Sequence, residues 1–308
     1  MNIENHLNLR RDAAGSYVLL VLAALIFASN HIIGRYLHDL LPPFGLVFWR
    51  FAIGGLIILP FAWRSFYLNL TIIRQHLWFF ILLSILFVLL GQGLIYLSYH
   101  WTTATNGGLI STVQPALTVA LSALLFRDFI SKKQAVGLIT ATIGVLVIIS
   151  RGNLEVLVNL KFNLGDLTLI CAMFAGALYN VLLRKIPPQI DVFLLTLIIQ
   201  IIGVIVTFPI YLTETIIFRP VPFTPEAIFA LLWIGVAVAA LAVALNNAVI
   251  RSLGANKASI GNYLRAIFTT LLAILLLGES FEIYHGIALV LVIGGVWLIC
   301  MSKSVLMK

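Results

Sequence analysis

The stretch NKASIGNYLRAIFTTLLAILLL, residues 256–277, decides the fold of this chain. It is apolar over the ~20 residues that a helix needs to cross the ~30 Å hydrocarbon core of a bilayer. Arg265 lies nine residues after the polar start, which at about 1.5 Å of rise per residue is near mid-membrane. A guanidinium keeps its proton there, so it needs a polar partner or a water-filled cavity. The stretch predicts a membrane helix that carries part of a polar site.

The rest of the chain has the composition of a polytopic membrane protein. Of its 308 residues, 62% are hydrophobic and 10% are charged, with a mean hydropathy of +1.11. A soluble domain has roughly a quarter charged residues. The strict alternation of a transmembrane barrel is absent. We therefore predict an all-α integral membrane protein with ten spans, at residues 17–37, 44–63, 77–98, 104–126, 134–150, 165–184, 192–212, 227–250, 256–277 and 284–301.

The basic residues follow alternate loops. Thirteen of the 19 lysines and arginines lie on the side of the amino terminus, four lie on the opposite side, and Arg50 and Arg265 lie within spans. By the positive-inside rule, both termini are predicted to be cytoplasmic, in the cell (inner) membrane. The net charge of +8 therefore indicates orientation and not a nucleic-acid partner. The first span lacks a small-residue cleavage site and is interpreted as a retained signal anchor.

The two halves of the chain repeat each other. Asn30 and Asn180 are 150 positions apart, and Asp128 and Glu279 are 151 apart. Each half has five spans, an odd number, so the halves are predicted to be inverted repeats, an arrangement associated with alternating access around a midplane site. The predicted units are a cytoplasmic tail (1–16), the first five-helix repeat (17–150), a periplasmic or extracellular linker (151–164), the second repeat (165–302) and a cytoplasmic tail (303–308).

A polar stripe marks the same helical face in both halves. In the fourth span it consists of Gly107, Ser111, Gln114, Thr118 and Ser122. A shift of 151 positions gives Ala258, Asn262, Arg265, Thr269 and Ala273 in the ninth span. With polar residues of other spans, the predicted substrate-binding residues are Arg265, Asn262, Gln114, Asn30, Asn180, Gln92, Tyr96 and Asn246. For Asn30 and Asn180, bonding between helices is the alternative to cavity lining.

Arg265 is the sharpest functional candidate. No carboxylate falls within the hydrocarbon to pair with it, because the nearest acids lie at span ends: Asp128, Asp166, Glu226, Glu279 and Glu282. A substrate carboxylate or another anionic group would complete its hydrogen bonds. The alternative is a structural role, with bonds to Gln114, Asn262 and Tyr263.

Two further residues within spans have simpler interpretations. Arg50 is one or two turns from the outer surface, and we expect it to reach the lipid headgroups. His31 is the one candidate for proton coupling at depth, with a structural donor role as the alternative. Facilitated diffusion, exchange and proton antiport therefore all stay open.

Other classes of protein have little support. The chain has no HExxH, GxxxxGK[ST] or GxSxG motif and no Cys/His ligand cluster. We expect no enzyme activity, cofactor, metal or nucleic-acid partner. A non-transporting scaffold is the alternative class, but it would not require a duplicated polar stripe. The expected partners are a small-molecule substrate and the lipid bilayer, and a homodimer through the glycine-bearing fifth and tenth spans is one interpretation of those helices.

Residues 93–149 carry the most specific resemblance to a known family: GLIYLSYHWTTATNGGLISTVQPALTVALSALLFRDFISKKQAVGLITATIGVLVII. Over residues 15–302 the chain resembles the drug/metabolite transporter superfamily, in particular its EamA-type members with ten spans. It departs from the family pattern where Arg127-Asp128 replaces Gly-Glu and where Ala266 replaces a mid-span proline. The resemblance implies a basket-like bundle around a central cavity that exports amino acids or other small metabolites. An organic-anion or nucleotide-type exchanger is the alternative within transport.

Overall fold

The computed structural model describes residues 3–37, 40–98, 100–101, 110, 113–127, 131–150, 152–153, 155, 158, 164–258, 260–277 and 282–301. Across these residues the chain is helical and has no β-strand. The predictions for Gly107, Ser111, Asp128 and Glu279, and for the side chains of His31, Asp166 and Ala273, fall outside what it describes.

The helices follow the apolar stretches of the sequence. In the first half they are α1 (Ile3–Leu37), α2 (Pro43–Leu68), α3 (Leu70–Gln75), α4 (Leu77–Ser98), α5 (Val113–Phe126) and α6 (Lys132–Ile149). In the second half they are α7 (Leu164–Leu182), α8 (Val192–Ile217), α9 (Pro225–Leu253), α10 (Ala255–Ala258), α11 (Gly261–Leu277) and α12 (Ile283–Met301). Wherever their residues are described, the predicted spans therefore fall largely on helical structure, and α3 is an additional short helix between the second and third spans.

Several of these helices suit a bilayer. Within the described ranges, five are long and apolar enough to cross it, namely α2, α4, α8, α9 and the segment Leu167–Lys185 that continues α7. Large apolar side chains point outward from the bundle: Leu56, Phe61, Trp78, Leu124, Ile139, Phe229 and Val290 are each at least 60% exposed. An outer surface of this kind suits contact with lipid.

The ninth predicted span differs from the expectation of one unbroken helix. Gly254 ends α9 with φ of +83°, a left-handed conformation that glycine adopts without strain. The short α10 follows, Ile260 lies in a turn, and α11 begins at Gly261. A Cβ atom at Gly261 would lie 2.8 Å from Leu20 Cδ1 of α1, so the turn packs directly on that helix. Arg265 is therefore about one turn from the beginning of α11 and not midway along a continuous helix.

Helices of one half pack mainly on helices of the other. α2 contacts α8 and α9, α1 contacts α11 and α9, and α7 contacts α4 and α5. The core between them is closely filled, and the ring of Phe87 stacks on Tyr179 with centroids 4.6 Å apart. This packing places the polar residues of different spans against one another.

The glycines of α6 and α12 bring these two helices together within the chain. A Cβ atom at Gly137 would lie 2.6 Å from the Gly295 carbonyl oxygen, and one at Gly295 would lie 2.5 Å from the Gly137 carbonyl oxygen. Gly137, Gly144 and Gly295 are therefore covered by the other helix of the pair, whereas a Cβ atom at Gly286 or Gly294 would meet nothing within 4 Å. A homodimer through these helices stays a prediction, and it would use their outward faces, where Ile139 and Val290 are exposed.

Two helices contain π-helical segments that the sequence analysis did not predict. In α4 the segment is Ile85–Gly93, and in α9 it is Ile234–Ala242. π-Helical turns are rare and occur frequently at functional sites. The segment in α4 contains Gln92, one of the predicted binding residues.

Candidate functional site

A buried arginine on α2 joins three helices. The side chain of Arg50 is 0% exposed. Its Nη1 atom donates hydrogen bonds to Gln92 Oε1 at 3.0 Å and to the Tyr96 hydroxyl at 2.8 Å, both on α4. The Tyr96 hydroxyl in turn donates to Asn30 Oδ1 of α1 at 3.0 Å. We call these four residues the Arg50 cluster, and three of them are predicted binding residues.

The prediction that Arg50 reaches the lipid headgroups is wrong. Val47 and Phe51, its neighbours on α2, are also fully buried, so this face of the helix points into the bundle. Behind Arg50, a Cβ atom at Gly235 of α9 would lie 2.5 Å from Ile53 Cγ2 and 3.3 Å from the Arg50 carbonyl oxygen. Close packing of α9 on α2 therefore encloses the arginine, and a count of turns along one helix could not reveal it.

The guanidinium of Arg50 is only partly satisfied by the protein. In the described part of the chain, its Nε and Nη2 atoms are buried without a hydrogen-bond partner. No carboxylate of the described residues forms an ion pair with it. Its Cζ atom lies 5.1 Å from the centroid of the Phe51 ring, a weak cation–π contact. A permanent charge thus lies within the membrane helices with an open hydrogen-bonding edge.

Arg265 lies in a second cluster with two other predicted residues. Its Nη2 atom donates to Asn262 Oδ1 at 2.6 Å, and Asn262 Nδ2 donates to Gln114 Oε1 of α5 at 3.3 Å. The Arg265 Cζ atom lies 4.7 Å from the centroid of the Phe27 ring on α1. A Cβ atom at Gly176 would lie 2.7 Å from Gln114 Nε2, so the backbone of α7 approaches this cluster closely. We call Arg265, Asn262 and Gln114 the Arg265 cluster.

The two arginine clusters lie against the same helix. Phe27 contacts Arg265, and Asn30 accepts the hydrogen bond from Tyr96. Residues three positions apart share one helical face, with about 4.5 Å of rise between them. Polar groups of both clusters therefore meet α1 on consecutive turns.

A third network, on α7, α8 and α9, is neutral. The Tyr179 hydroxyl donates to Asn247 Oδ1 at 2.9 Å, and Asn247 Nδ2 donates to Thr196 Oγ1 at 3.2 Å. All three side chains are 0% exposed. The predicted residue Asn246 is only half-buried and Asn180 is buried, but neither belongs to this network. We call Tyr179, Asn247 and Thr196 the Asn247 cluster.

The repeat spacing marks both neighbours, Asn246 and Asn247. A shift of 150 positions from Tyr96, as for Asn30 and Asn180, gives Asn246, whereas a shift of 151, as for Asp128 and Glu279, gives Asn247. Arg50 could have been found only by recognising that its helix face is covered on all sides, for which the sequence has no direct signal.

An acid on α8 closes the beginning of α2. The Glu214 carboxylate accepts hydrogen bonds from the backbone N–H groups of Gly45 at 2.7 Å and Phe44 at 3.3 Å. The predicted span ends at residue 212, whereas α8 continues to Ile217 and so includes Glu214. A negative charge at a helix N-terminus satisfies free N–H groups and the helix dipole. The contact ties α8 to the helix that carries Arg50.

Comparison with known proteins shows that this chain is a multi-pass membrane protein of a transporter class. Residues 15–150 and 163–301 match the EamA-like transporter family, and the chain belongs to that family. The resemblance predicted from the sequence is thus confirmed. The family consists of transporters and not of enzymes.

Relatives match the chain over nearly its whole length. The uncharacterized transporter YyaM of Bacillus subtilis is 25% identical over 283 residues, 91% of this chain and 92% of YyaM. An uncharacterized transporter of Archaeoglobus fulgidus is 29% identical over 287 residues, 92% of this chain and 96% of the relative. One crystal structure superposes with a TM-score of 0.73 at 15% identity, covering 93% of this chain and 98% of the other. That likeness supports the fold alone.

Proposed function

We propose that this protein is a secondary transporter that moves a small carboxylate-bearing metabolite, such as an amino acid, across the inner membrane by alternating access. Export is the favoured direction, because the resemblance to EamA-type members implies it. The observation that carries the proposal is Arg50, a fully buried cation among membrane helices whose Nε and Nη2 atoms lack partners in the described chain.

The energetics of a buried cation favour a binding role. Moving an ion out of water costs several kcal/mol even after relaxation, and the Arg50 cluster returns hydrogen bonds to only one guanidinium nitrogen. An anionic group of a solute would supply the missing charge and acceptors. A protein with a purely structural use for this position would be more stable with an apolar side chain.

The enclosure of Arg50 supports alternating access. Because its side chain is 0% exposed, a solute reaches it only after helices move. Such a movement would change two features: the π-helical segment of α4 that contains Gln92, and the contact of Glu214 with the beginning of α2.

The packing supports ten spans arranged as two inverted five-helix repeats, residues 17–150 and 165–302. α1, the first helix of one repeat, packs on α9 and α11, the third and fourth spans of the other. α7, the first helix of the second repeat, packs on α4 and α5 in the same way. The distribution of basic residues favours cytoplasmic termini, residues 1–16 and 303–308. The central cavity would lie between the repeats.

An organic-anion exchanger is the second candidate. The observation in its favour is the presence of a second arginine, Arg265, against the same face of α1 as the Arg50 cluster. Counterflow separates the two functions: uptake that depends on preloaded solute indicates exchange, whereas net flux into empty vesicles indicates transport without a counter-solute, as export requires. Proton coupling through His31 is tested by imposing a pH gradient on the wild type and on His31→Gln.

The test of transport is flux in liposomes with a matched pair of variants. Arg50→Gln removes the buried charge, and Arg64→Gln removes an exposed charge from the same helix. We expect Arg50→Gln to reduce flux at least about 30-fold and Arg64→Gln to transport normally, since truncation at a buried charge pair costs about 2–5 kcal/mol or more. Wild-type protein that inserts correctly but moves no solute from a broad panel would instead support the scaffold alternative.

A further inference from the structure

The guanidinium of Arg50 has one edge bonded to the protein and one edge that is buried but makes no hydrogen bond to the described residues. Nη1 uses both of its hydrogens, because it donates to Gln92 and to Tyr96. Nε and Nη2 are buried, with no hydrogen-bond partner in the part of the chain that the structure describes. These two nitrogens lie on one edge of the planar group and direct parallel N–H donors outward. A carboxylate binds such an edge through both of its oxygens.

We propose that the Nε–Nη2 edge of Arg50 is the recognition element for the transported solute. This edge binds the planar carboxylate group of a solute that carries a single carboxylate. The proposal rests on the proposed transport function and specifies which atoms recognise the solute and which chemical class they select. Arg265 has its own contacts to Asn262 and Phe27 and is not required for this edge to act.

The Arg50 cluster holds this edge in a defined orientation. The Tyr96 hydroxyl oxygen accepts from Nη1 while its hydrogen is directed to Asn30, so the hydroxyl cannot rotate freely. Gln92 fixes the second hydrogen of Nη1 at 3.0 Å. Tyr96 and Gln92 are positioning residues, because they fix the plane of the guanidinium before a solute arrives. A group held in this way loses little conformational freedom on binding.

Charge balance favours a monocarboxylate over a dianion. One carboxylate neutralises the single positive charge of Arg50, whereas a phosphate dianion would leave a net negative charge in a medium of low dielectric constant. A carboxamide of the same shape would leave the guanidinium charged and would offer only one acceptor. The site should therefore distinguish an acid from its amide more strongly than it distinguishes side chains of similar size.

The experiment uses the purified full chain in detergent and needs no variant for its first arm. Thermal unfolding is measured with the standard amino acids and with short-chain monocarboxylates, each beside its primary amide, and with inorganic phosphate. We expect at least one carboxylate to stabilise the protein and its amide to bind roughly 30-fold more weakly or not at all. Equal binding of acid and amide, a preference for phosphate, or no stabilisation by any carboxylate overturns the proposal.

The second arm tests the edge itself with Arg50→Lys and the control Arg64→Lys. Lysine keeps the charge but presents a point donor without two parallel N–H groups. We expect Arg50→Lys to raise the Kd of the stabilising carboxylate by roughly tenfold or more, with Arg64→Lys unchanged. Tyr96→Phe should raise the Kd by a smaller factor without changing the preference for acid over amide. An Arg50→Lys protein that binds as the wild type does overturns the edge as the recognition element.

Flux measurements separate failure of this inference from failure of the transport proposal. Wild-type vesicles that transport the solute and its amide equally would leave transport in place and overturn the inference. Wild-type protein that binds a carboxylate through Arg50 but shows no flux would support the binding edge and overturn the transporter.

Discussion

The Arg50 cluster and the Asn247 cluster are built alike but differ in charge. Each joins three helices, α1, α2 and α4 in one case and α7, α8 and α9 in the other. Tyr96 and Asn247 are 151 positions apart, and Gln200 is 150 positions after Arg50. In the Asn247 cluster both ends of the asparagine amide are used, and Thr196 donates onward to the Val192 carbonyl.

The difference in charge separates a network that only holds helices together from one that also suits a ligand. A neutral network whose polar atoms find partners inside the protein stabilises the packing and has no need of a ligand. The Arg50 cluster carries a permanent charge and keeps an edge of donors unused by the described residues. A structural role for the Asn247 cluster and the proposed binding role for the Arg50 cluster therefore predict different responses to substitution, and variants can test each.

The largest expected effect on flux follows from giving Arg50 a carboxylate partner within the protein. Gln92→Glu places a carboxylate at the acceptor that Nη1 already contacts at 3.0 Å. The new ion pair neutralises the charge, so we expect flux to fall at least about 100-fold while the protein stays folded, since a carboxylate is a stronger hydrogen-bond partner for a buried guanidinium than the neutral amide it replaces. Liposome flux and thermal unfolding of the same preparation check both parts. Gln75→Glu, an exposed position in α3, is the control, and normal flux in Gln92→Glu would contradict a binding role for Arg50.

The next effect concerns stability and belongs to the second network. Asn247→Ala removes the partner of both Tyr179 and Thr196 and leaves two fully buried hydroxyls with fewer bonds. Each loss costs about 1–3 kcal/mol, so we expect about 2–4 kcal/mol of destabilisation with flux per folded molecule retained. Denaturant titration in mixed micelles measures the first quantity. The half-buried Asn246→Ala should change stability much less, and an equal loss in both variants would argue against a specific role for Asn247.

The sequence predicted the helices better than it predicted the site. Apolar runs near 20 residues specify membrane helices almost regardless of context, and the described residues of the predicted spans are largely helical. The break at Ile260 was missed because nothing in residues 256–277 marks a turn except Gly261, a residue common within membrane helices. The predicted span 192–212 is also shorter than α8, which continues to Ile217. Glu214 resembles a loop residue as long as its hydrogen-bond partners on α2 are unknown.

Three residues of the Arg50 cluster were predicted as binding residues, but Arg50 itself was not. Gln92, Tyr96 and Asn30 were singled out, and they do lie together, but the residue that joins them is Arg50 and not Arg265. The sequence shows how deep in the membrane a residue of a helix lies. It does not show whether the face that carries the residue is buried, because this depends on which other helices pack against it. Arg265, Asn262 and Gln114 were predicted from their shared register, and that signal placed them in one cluster.

A smaller effect on both stability and flux is expected where α9 packs behind Arg50. Gly235→Ala adds a Cβ atom that would lie 2.5 Å from Ile53 Cγ2, so α9 must shift away from α2. Overpacking of this kind costs about 1–3 kcal/mol, and the shift should expose the arginine cluster to water. Gly286→Ala is the matched control, because a Cβ atom there meets nothing within 4 Å. Thermal unfolding that is equal for the two variants would show that the approach of α9 is not tight in the membrane.

The smallest effect is expected at the end of α2 that Glu214 closes. Glu214→Gln keeps one carbonyl acceptor for the Gly45 N–H but loses the charge that favours a helix N-terminus. That charge is worth about 0.3–1 kcal/mol at such a position, so unfolding should change little. If α8 and α2 separate during each transport cycle, the same weakening favours the open state, and flux should change by up to about fivefold without a change in the Kd of the solute. Glu155→Gln, an exposed acid outside the long helices, should change neither quantity. A changed Kd with unchanged flux would place Glu214 in the binding site itself, and the Arg50 cluster would then not be the sole charged element that the solute meets.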